Sequence, residues 1–519
     1  MASSISPPAN KGLASLNRAL FSRKLALVAL RVPPAACARA MKELPRGTIL
    51  DFPRLRGIVD DPRSATAQSM TGAATTAKPP IASKLVLLSP AVAAAGGSSD
   101  GGRNGHNGDE LPANVAKFAR DVGAEVTEYV LTLDYEYWTA EQVLRSILPD
   151  DIEIPASFET VGHIAHLNLR DVFMPYKHII GQVLLDKNTN LKTIVNKTGN
   201  IDNTFRFFEM ELLAGERDLM AQVNESGCKF KFDFSRVYWN SRLQTEHSRL
   251  VSLFEPESLV CDVMAGVGPY AIPAAKNKGC LVFANDLNPA SFEYLCENIR
   301  ANKVEHLIKP YNIDGREFIR NSIKELNAEG ALDSLRAKVP PARKPRGAQP
   351  TTGEQTTGEQ ATMAPAAAAV PPVLIPTHPR PRWFNHYVMN LPATAIEFLD
   401  AFWGLLANHP SADDKAPLPI IHCHCFSRDP DPKTDIVRRV EAALGAPLGP
   451  DDLIALHNVR NVAPNKDMLC VSFRLPRAVA FASVEGKRSA AAPVGSAEGG
   501  EEVVVEDDAP AAKRAKIET

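Results

Sequence analysis

The sequence predicts an α/β protein whose C-terminal half forms a parallel, doubly wound sheet. Three observations lead to this prediction. Apolar runs alternate with helical patterns from residue 259 to residue 475, as strands alternate with crossover helices in such sheets. Two glycines closely follow the first run, at the position where a doubly wound sheet binds a ligand. An aspartate stands at or just after the end of each of three successive runs.

Composition limits the classes of protein to which this chain can belong. The 519 residues include 45% hydrophobic and 23% charged residues, which is typical of a globular protein of roughly three domains. The formal charge of −2 gives no global attraction to phosphate, so a nucleic-acid contact would need a local basic surface. No apolar run approaches the roughly 18 residues of a membrane span. The eight cysteines form no CxxC pair, so neither a zinc ribbon nor a disulfide framework is indicated.

The N-terminal region predicts a leader followed by a small module. Residues 1–42 lack Asp and Glu but carry seven Lys and Arg residues, a composition typical of mitochondrial transit peptides. A merely disordered leader is the alternative. Residues 43–150 are predicted to form an N-terminal module, interrupted by a glycine-rich linker at 96–108.

Two other segments have the composition of disordered chain. Residues 337–381 are rich in proline and contain the tandem TTGEQTTGEQ, which predicts an insertion that loops out of a domain continuing on both sides. Residues 481–519 combine an acidic run with Lys513, Arg514 and Lys516, which predicts a solvated tail with a weak resemblance to a nuclear address.

Between these segments lie two blocks with periodic patterns. An α+β module is predicted over 151–255, and the larger domain over 256–480. In and just before the first block we expect strands at 129–133, 183–185 and 193–195 and helices at 139–147, capped by Thr139, and at 206–220. In the second we expect strands at 259–263, 281–285, 308–312, 386–389, 420–426 and 468–475.

The most informative segment is the glycine pair after the first of these strands. The run SLVCDVMAGVGPY contains Asp262, then Gly266 and Gly268. Glycines at this position let main-chain N–H groups approach a ligand closely. The pattern GxxxxGK[ST] and the third glycine of GxGxxG are absent from the segment, so neither a phosphate loop nor a dinucleotide site is predicted.

Acids at the next two strand ends suggest which ligand is bound. Asp286 follows the second strand, where an ionised carboxylate can accept hydrogen bonds from both hydroxyls of a ribose. Asp314, followed by Gly315, closes the third strand and could meet an adenine amino group. Each acid alone is also compatible with ordinary turn chemistry. The three acids together with the glycine pair favour S-adenosylmethionine.

Several segments resemble one known family. DVMAGVGPYAIPAA, NDLNPASFEYLCENIRAN and HYVMNLPATAIEFLDAF resemble the tRNA (guanine(37)-N(1))-methyltransferases of archaea and eukaryotes, whose catalytic domain is a Rossmann-like class I methyltransferase. NKTGNIDNTFRFFEMELLAGE and FSRVYWNSRLQTEHSRLV are similar to the family's preceding α+β, RNA-binding modules. The resemblance runs from about residue 111 to residue 476, the insertion excepted.

The resemblance implies roles for individual residues. The family's catalytic positions fall on Arg206, Glu246, Asn390 and Pro392. Its cofactor contacts fall on His247, Asp262, Gly266, Gly268, Asp286, Leu287, Asp314, Gly315 and Asn390. This chain has Ser241 where the family often has proline, and His247 where it often has arginine, so the match is weaker at those two contacts.

The implied chemistry agrees with the residue types. N1 of guanine carries a proton and needs a base, and Glu246, if partly removed from water, would have its pKa raised towards neutrality. Arg206 could donate to the charge that develops on O6. Asn390 could donate to and accept from the Watson–Crick edge of the base, and Pro392 would provide a rigid surface beside it. Taken singly, Arg206 is equally explained as a surface ion-pair partner at the start of a helix, and Glu246 as a solvated helix residue.

The run His422, Cys423, His424 and Cys425 invites a metal site, which we do not predict. Alternate side chains of a strand point to opposite faces, so these four do not converge on one ion.

The resemblance implies methylation of N1 of guanosine-37 in cytoplasmic and mitochondrial tRNAs. This methylation maintains the reading frame and is the first step towards wybutosine in phenylalanine tRNA. The expected partner is tRNA, held at its anticodon loop and, through module 43–150, at its body; we expect no membrane contact, a monomer, and a location in mitochondrial matrix, cytoplasm and nucleus. The alternatives are a wybutosine-pathway aminocarboxypropyl transferase of the same fold and a non-catalytic tRNA-binding protein.

Overall fold

A computed structural model describes residues 5–63, 82–94, 111–155, 157–198, 209–328, 383–407, 409 and 416–483. The linker predicted at 96–108, the insertion at 337–381 and all but the first three residues of the tail lie outside these residues. The chain divides into two compact units, one of Met1–Val223 with Asp233–Ser235 and one of Asn224–Phe232 with Arg236–Thr519. Within the described residues, no helix has both the length and the apolar character that crossing a membrane requires.

The first unit begins with an antiparallel sheet of four strands in the order β2-β3-β1-β4. In chain order the elements are β1 (Arg23–Val32), α1 (Cys37–Glu43), β2 (Ile58–Asp60), β3 (Lys84–Leu87), α2 (Pro90–Ala94), α3 (Ala113–Val122) and β4 (Glu125–Leu133). Strand β4 contains the predicted strand 129–133, which is confirmed.

The prediction of a separate leader over 1–42 is wrong for residues 23–42. Strand β1 lies inside the sheet, where it pairs with both β3 and β4. Its two faces are buried in different clusters, Leu27 and Ala29 in one and Val28 and Leu30 in the other. A strand with a continuous apolar run and basic ends has the same acid-free composition as a transit peptide, so composition alone does not distinguish the two.

The first unit continues with a second four-stranded sheet, in the order β5-β6-β7-β8. Strands β6 and β7 are parallel and the outer pairs are antiparallel. The elements are α4 (Ala140–Ile147), β5 (Glu159–Val161), β6 (Ile164–Leu167), α5 (Lys177–Lys187), β7 (Thr193–Thr198) and β8 (Glu209–Gly215). The predicted helix 139–147 is confirmed as α4, with Thr139 and Gln142 forming a capping box. The strand predicted at 193–195 is confirmed within β7.

Two predictions in this region are wrong. Residues 183–185 lie in helix α5, because Ile179, Ile180, Val183 and Leu184 recur with helical spacing and are all buried. Over its described part, the helix predicted at 206–220 is instead the strand β8, which pairs with β7, followed by a short connection and the first residue of the next strand. Short apolar runs of this kind do not distinguish a strand from a buried helix turn.

The boundary predicted between residues 255 and 256 is also wrong. The chain passes from the first unit to the second within a two-stranded sheet of β9 (Met220–Glu225) and β10 (Cys228–Asp233). Helix α6 (Gln244–Ser252) therefore belongs to the second unit. The boundary predicted between 150 and 151 lies inside the first unit and separates no compact body.

The second unit is built on a seven-stranded sheet in the order β13-β12-β11-β14-β15-β17-β16. The first five strands in this order, β13, β12, β11, β14 and β15, are parallel to one another. Strand β17 is antiparallel to β15, and β16 is antiparallel to β17. The elements are β11 (Leu259–Asp262), α7 (Ala271–Lys278), β12 (Leu281–Asn285), α8 (Pro289–Asn302), β13 (Ile308–Tyr311), α9 (Gly315–Asn327), β14 (His386–Met389), β15 (Ile420–Ser427), α10 (Pro432–Leu444), β16 (Leu453–Ala463), β17 (Lys466–Arg474) and α11 (Arg477–Ala480).

All six strands predicted for this domain are confirmed, but the sheet is mixed and not wholly parallel. Strand β16 was not predicted. Only Pro464 and Asn465 separate it from β17, and so short a connection requires an antiparallel pair. The strand order reverses between β11 and β14, so the switch point lies at the carboxyl ends of these two strands.

Candidate cofactor and catalytic site

The glycine pair forms a tight bend after β11. Gly266 and Gly268 have φ angles of 54° and 100°, which favour glycine. A Cβ atom on Gly268 would lie 2.7 Å from Cδ1 of Ile272. The Gly266 N–H donates to Oδ2 of Asp286 at 2.8 Å. The bend thus brings the main chain that follows β11 against the acid at the end of β12.

Asn285, which the sequence analysis did not single out, holds three strand ends together. Its side-chain amide donates to the carbonyl oxygens of Val263 at 3.1 Å and Ile313 at 3.0 Å. Its Oδ1 accepts from the Ile313 N–H at 3.0 Å. The signal that could have revealed it is an amide at the end of an apolar run, since a buried Asn needs partners for both ends of its side chain.

Asp286 is positioned as an acceptor for hydroxyl groups. Its Oδ1 accepts from the Asn288 N–H at 3.0 Å, and Oδ2 accepts from Gly266. Burial raises the pKa of Asp286 to about 6, and these N–H donors limit the increase. Beside it, Leu287 is 51% exposed and offers an apolar surface.

Two buried acceptors at the switch point lack partners within the described residues. Neither carboxylate oxygen of Asp262 accepts a well-formed hydrogen bond, and neither does Oδ1 of Asn390. Burial, followed by the charge of Asp286, raises the pKa of Asp262 to about 8, although the main-chain N–H groups of Ala271 and Met264 stabilise its charged form in part. Buried polar groups are rarely left unpaired in proteins, so these acceptors are suited to hydrogen bonds from a ligand or from water.

The third predicted acid is partly engaged. Asp314 caps helix α9, and its Oδ1 accepts from the N–H groups of Arg316 at 2.9 Å and Glu317 at 3.1 Å. The residue is exposed and its Oδ2 takes no part in the cap. Gly315 is buried against Phe398, whose ring carbon would lie 3.1 Å from an added Cβ atom. The adenine contact predicted for Asp314 stays a prediction.

The segment after β14 is fixed by main-chain hydrogen bonds. The Leu391 carbonyl accepts from Thr394 N–H and Ala395 N–H, and the Pro392 carbonyl accepts from Phe426 N–H at 3.0 Å. Asn390 and Pro392 are therefore held at the end of β14, next to β11 and β15. Of the other predicted catalytic residues, Glu246 is described below, and Arg206 lies outside the described residues.

Glu246, on helix α6, is buried among cations. The Arg249 guanidinium donates to both of its oxygens, at 2.6 and 2.8 Å, and Nε2 of His424 donates to Oε1 at 2.8 Å. Burial alone would raise the pKa of Glu246, but hydrogen bonds from Arg249 and His424 outweigh burial and lower it to about 2. The expectation of a raised pKa is wrong, because it counted burial without these two partners.

His424 links this cluster to two neighbouring strands. It lies opposite Cys470 of β17, which lies opposite His457 of β16. Burial alone would lower the pKa of His424, but Cys470 and Glu246 raise it to about 10. The Tyr270 hydroxyl lies 3.3 Å from Nε2 of His424.

Glu246, His424 and Cys470 bring three potential metal-ligating atoms within 4.8 Å of one another. No local sequence pattern predicts this group, because it is assembled from three separate elements. Since Arg249 already balances the Glu246 charge, we assign no ion here, and the expectation of no metal stays a prediction.

His247, a predicted cofactor contact, is buried and pairs with an acid. Its Nδ1 lies 2.5 Å from Oε1 of Glu225, and both side chains are buried. Its ring packs edge-on against Tyr270 at 4.8 Å. It can therefore position Tyr270, which contacts His424; a direct cofactor contact stays a prediction.

Two family profiles match the chain. That of the TRM5/TYW2 methyltransferase domain matches residues 221–328, and that of the TYW2 N-terminal domain matches residues 140–218. The fold also resembles that of a complex of aTrm5 and tRNALeu, with a TM-score of 0.52, 17% identity, and coverage of 86% of this chain and 100% of that chain.

Curated relatives are similar over nearly the whole length. A tRNA (guanine(37)-N(1))-methyltransferase of Batrachochytrium dendrobatidis is 50% identical over 484 residues, covering 93% of each chain. Enzymes of the same name from Schizosaccharomyces pombe and Mus musculus are 42% and 38% identical; they cover 91% and 92% of this chain, and 96% and 80% of the relatives.

Proposed function

Since this chain belongs to the tRNA (guanine(37)-N(1))-methyltransferase family, we propose that it methylates guanosine-37 at the cluster around the carboxyl ends of β11, β12 and β14. The chain is an S-adenosylmethionine-dependent methyltransferase that acts on tRNA. The observation that supports this location is the pair of buried, unpartnered acceptors, Asp262 and Asn390. They lie at the switch point, where doubly wound sheets bind their ligands.

The residues of this cluster fit the cofactor. Asp286 would accept from the ribose hydroxyls, and exposed Leu287 would pack against the base. The carboxylate of Asp262 would be stabilised by a nearby positive charge such as that of the cofactor's sulfonium group. The resemblance adds Gly266, Gly268, Asp314, Gly315, His247 and Asn390 as further contacts. When bound, S-adenosylmethionine supplies an electrophilic methyl group on a positively charged sulfur.

We assign the proton chemistry to Glu246. As N1 of the guanine takes up the methyl group it loses its proton, and the Glu246 carboxylate is the acceptor that the resemblance places there. Asn390 would hold the edge of the base and Pro392 its face. Arg206 would donate to O6, where negative charge develops.

The finer features of the substrate are proposals. We propose that the enzyme works as a monomer on the anticodon loop and body of tRNA. The exposed ring of Tyr238 supports stacking of an unpaired base in the second unit. Maintenance of the reading frame and entry into wybutosine synthesis on phenylalanine tRNA are the expected consequences of the product.

We also propose action in mitochondrial matrix, cytoplasm and nucleus. The acid-free stretch 1–42 supports mitochondrial import. Because residues 23–32 form an internal strand, an import signal would have to act without the removal of β1.

A test of the function uses S-adenosylmethionine carrying one label in the methyl group and another in the aminocarboxypropyl arm. With an unmodified tRNA transcript, we expect methyl label in 1-methylguanosine at position 37 and none in a transcript with adenosine there. The match of residues 140–218 to a TYW2 domain makes transfer of the aminocarboxypropyl arm the second candidate. Recovery of that label in RNA would overturn the assignment.

A further inference from the structure

The environment of Glu246 raises the question of where its proton goes. Glu246 is 3% exposed, so a proton accepted from the substrate has no direct path to water. It must leave before the carboxylate can act again. The neighbouring groups that face the carboxylate therefore decide the path.

Two of these neighbours cannot take the proton. Arg249 donates to both carboxylate oxygens, and a guanidinium has no acceptor. His424 already donates to Oε1, is fully buried, and has a pKa raised to about 10 by Cys470 and Glu246. It is therefore protonated at neutral pH and leads away from solvent.

His457 differs from both neighbours. Its Nε2 lies 3.6 Å from Oε2 of Glu246, and its side chain is 42% exposed. It lies on β16, the edge strand of the sheet, next to a register shift between Asn458 and Arg460. A small side-chain movement would bring Nε2 into hydrogen-bond range while the ring still contacts water.

The charges around His457 keep it available as an acceptor. Partial burial and the positive charges of Arg249 and His424 lower its pKa, and the Glu246 carboxylate opposes them. Cys470 is its cross-strand neighbour. His457 is therefore neutral at neutral pH, and a carboxylic acid with a pKa of about 2 gives up its proton readily to a neutral imidazole.

We propose that His457 carries the substrate proton from Glu246 to solvent and thereby resets the catalytic carboxylate. This inference rests on the proposed role of Glu246. The N1 lone pair forms the bond to the methyl carbon, the carbon–sulfur bond breaks and its electron pair stays on sulfur. The N1 proton passes to Glu246 and then to Nε2 of His457. The protonated imidazole then gives up a proton to solvent water, either from Nε2 or from Nδ1. His457 touches no reacting atom and is a positioning residue for the proton.

The test compares methyl transfer with proton release in a single turnover. Methyl transfer is followed by rapid quench, and proton release by a pH indicator in a weakly buffered stopped-flow mixture. At about pH 9, where Asp262 with its pKa of about 8 stays mostly ionised and takes up little proton when the sulfonium charge is lost, we expect the two to coincide in wild type. In His457→Gln, methyl transfer should stay within about twofold while proton release slows by about tenfold or more, the range of a lost acid–base group.

Matched variants make the outcomes distinguishable. His306→Gln changes a partly buried histidine before β13 and should leave both signals coincident. His457→Asn repeats the test if the first variant is unstable. Coincident signals in a folded His457 variant would overturn the exit route. If Glu246→Gln instead transfers methyl groups at the wild-type rate, the proposed role of Glu246 fails, and the inference fails with it.

Discussion

At the scale of single residues, Asp262 and Asn390 indicate where the cofactor would bind. An unsatisfied buried acceptor costs roughly 1–3 kcal/mol, and two of them lie on the adjacent strand ends of β11 and β14. The rest of the switch point is well paired through Asn285. At this switch point, the acceptors without a well-formed hydrogen bond therefore lie where the cofactor is expected.

Asp262 should make cofactor binding release a proton. With a pKa of about 8 it is mostly protonated at pH 7, and a nearby positive sulfur favours its charged form. Calorimetry at pH 7 in buffers with different ionisation heats should show release of up to about one proton on binding S-adenosylmethionine. S-adenosylhomocysteine, which is uncharged at sulfur, should release less, and Asp262→Asn should release none. Equal release by the variant would contradict the assignment.

The sequence predicted the acids of the site but not the partners that set their chemistry. Asp262, Asp286 and the glycine bend follow from strand ends and local spacing, which a single sequence displays. His424 lies 178 residues from Glu246, and no local pattern connects them. The direction of the Glu246 pKa shift depends first on Arg249, three residues along the same helix, and then on His424; the expectation was wrong because it counted burial alone.

At the scale of elements, strands were predicted well where an apolar run has clear ends. The six strands of the second unit are of this kind, and β12 and β14 match to the residue. The failures are elements whose state is set by tertiary packing. An apolar run such as 183–185 is compatible with either a strand or a buried helix. Strand β16 was missed for a different reason, since it has too few buried residues to form an apolar run.

Strand β1 leads to a prediction about truncation. Deleting residues 1–42 should unfold the first unit, because β3 and β4 would lose the strand that joins them. We expect loss of soluble protein and of the corresponding circular dichroism signal. Deleting residues 484–519, a similar length from the other end, serves as the control and should be tolerated. A soluble, active protein lacking 1–42 would restore the leader interpretation.

Deletion of the proline-rich insertion, unlike deletion of residues 1–42, should be tolerated. Helix α9 ends at Asn327 and β14 begins at His386, so both elements are complete without the residues between them. Deleting residues 340–381 should therefore leave tRNA methylation and the thermal midpoint nearly unchanged. Activity and thermal unfolding measured side by side with the full chain test this. An insoluble product would show that the insertion is structural.

At the scale of the whole molecule, the site's ionisable groups act on stability in different pH ranges. His424, with a pKa raised from 6.5 to about 10, stabilises the fold below pH 6.5 and loses this effect as pH rises to about 10. Glu246, lowered from 4.5 to about 2, stabilises above pH 4.5 and loses its effect as pH falls to about 2. The fold also favours the protonated form of Asp262, so the contribution of Asp262 to the free energy of unfolding declines as pH rises from about 4 to about 8.

The free enzyme should therefore become less stable between pH 6.5 and 8, where the contributions of His424 and Asp262 both decline. Asparagine at position 262 resembles the protonated acid at every pH, so Asp262→Asn should gain stability relative to wild type as pH rises from about 4 to about 8. Thermal unfolding of both proteins across this range measures the difference. Asp314→Asn, at an exposed helix cap, is the matched control. Parallel curves for wild type and Asp262→Asn would show that this carboxyl is not held protonated by the fold.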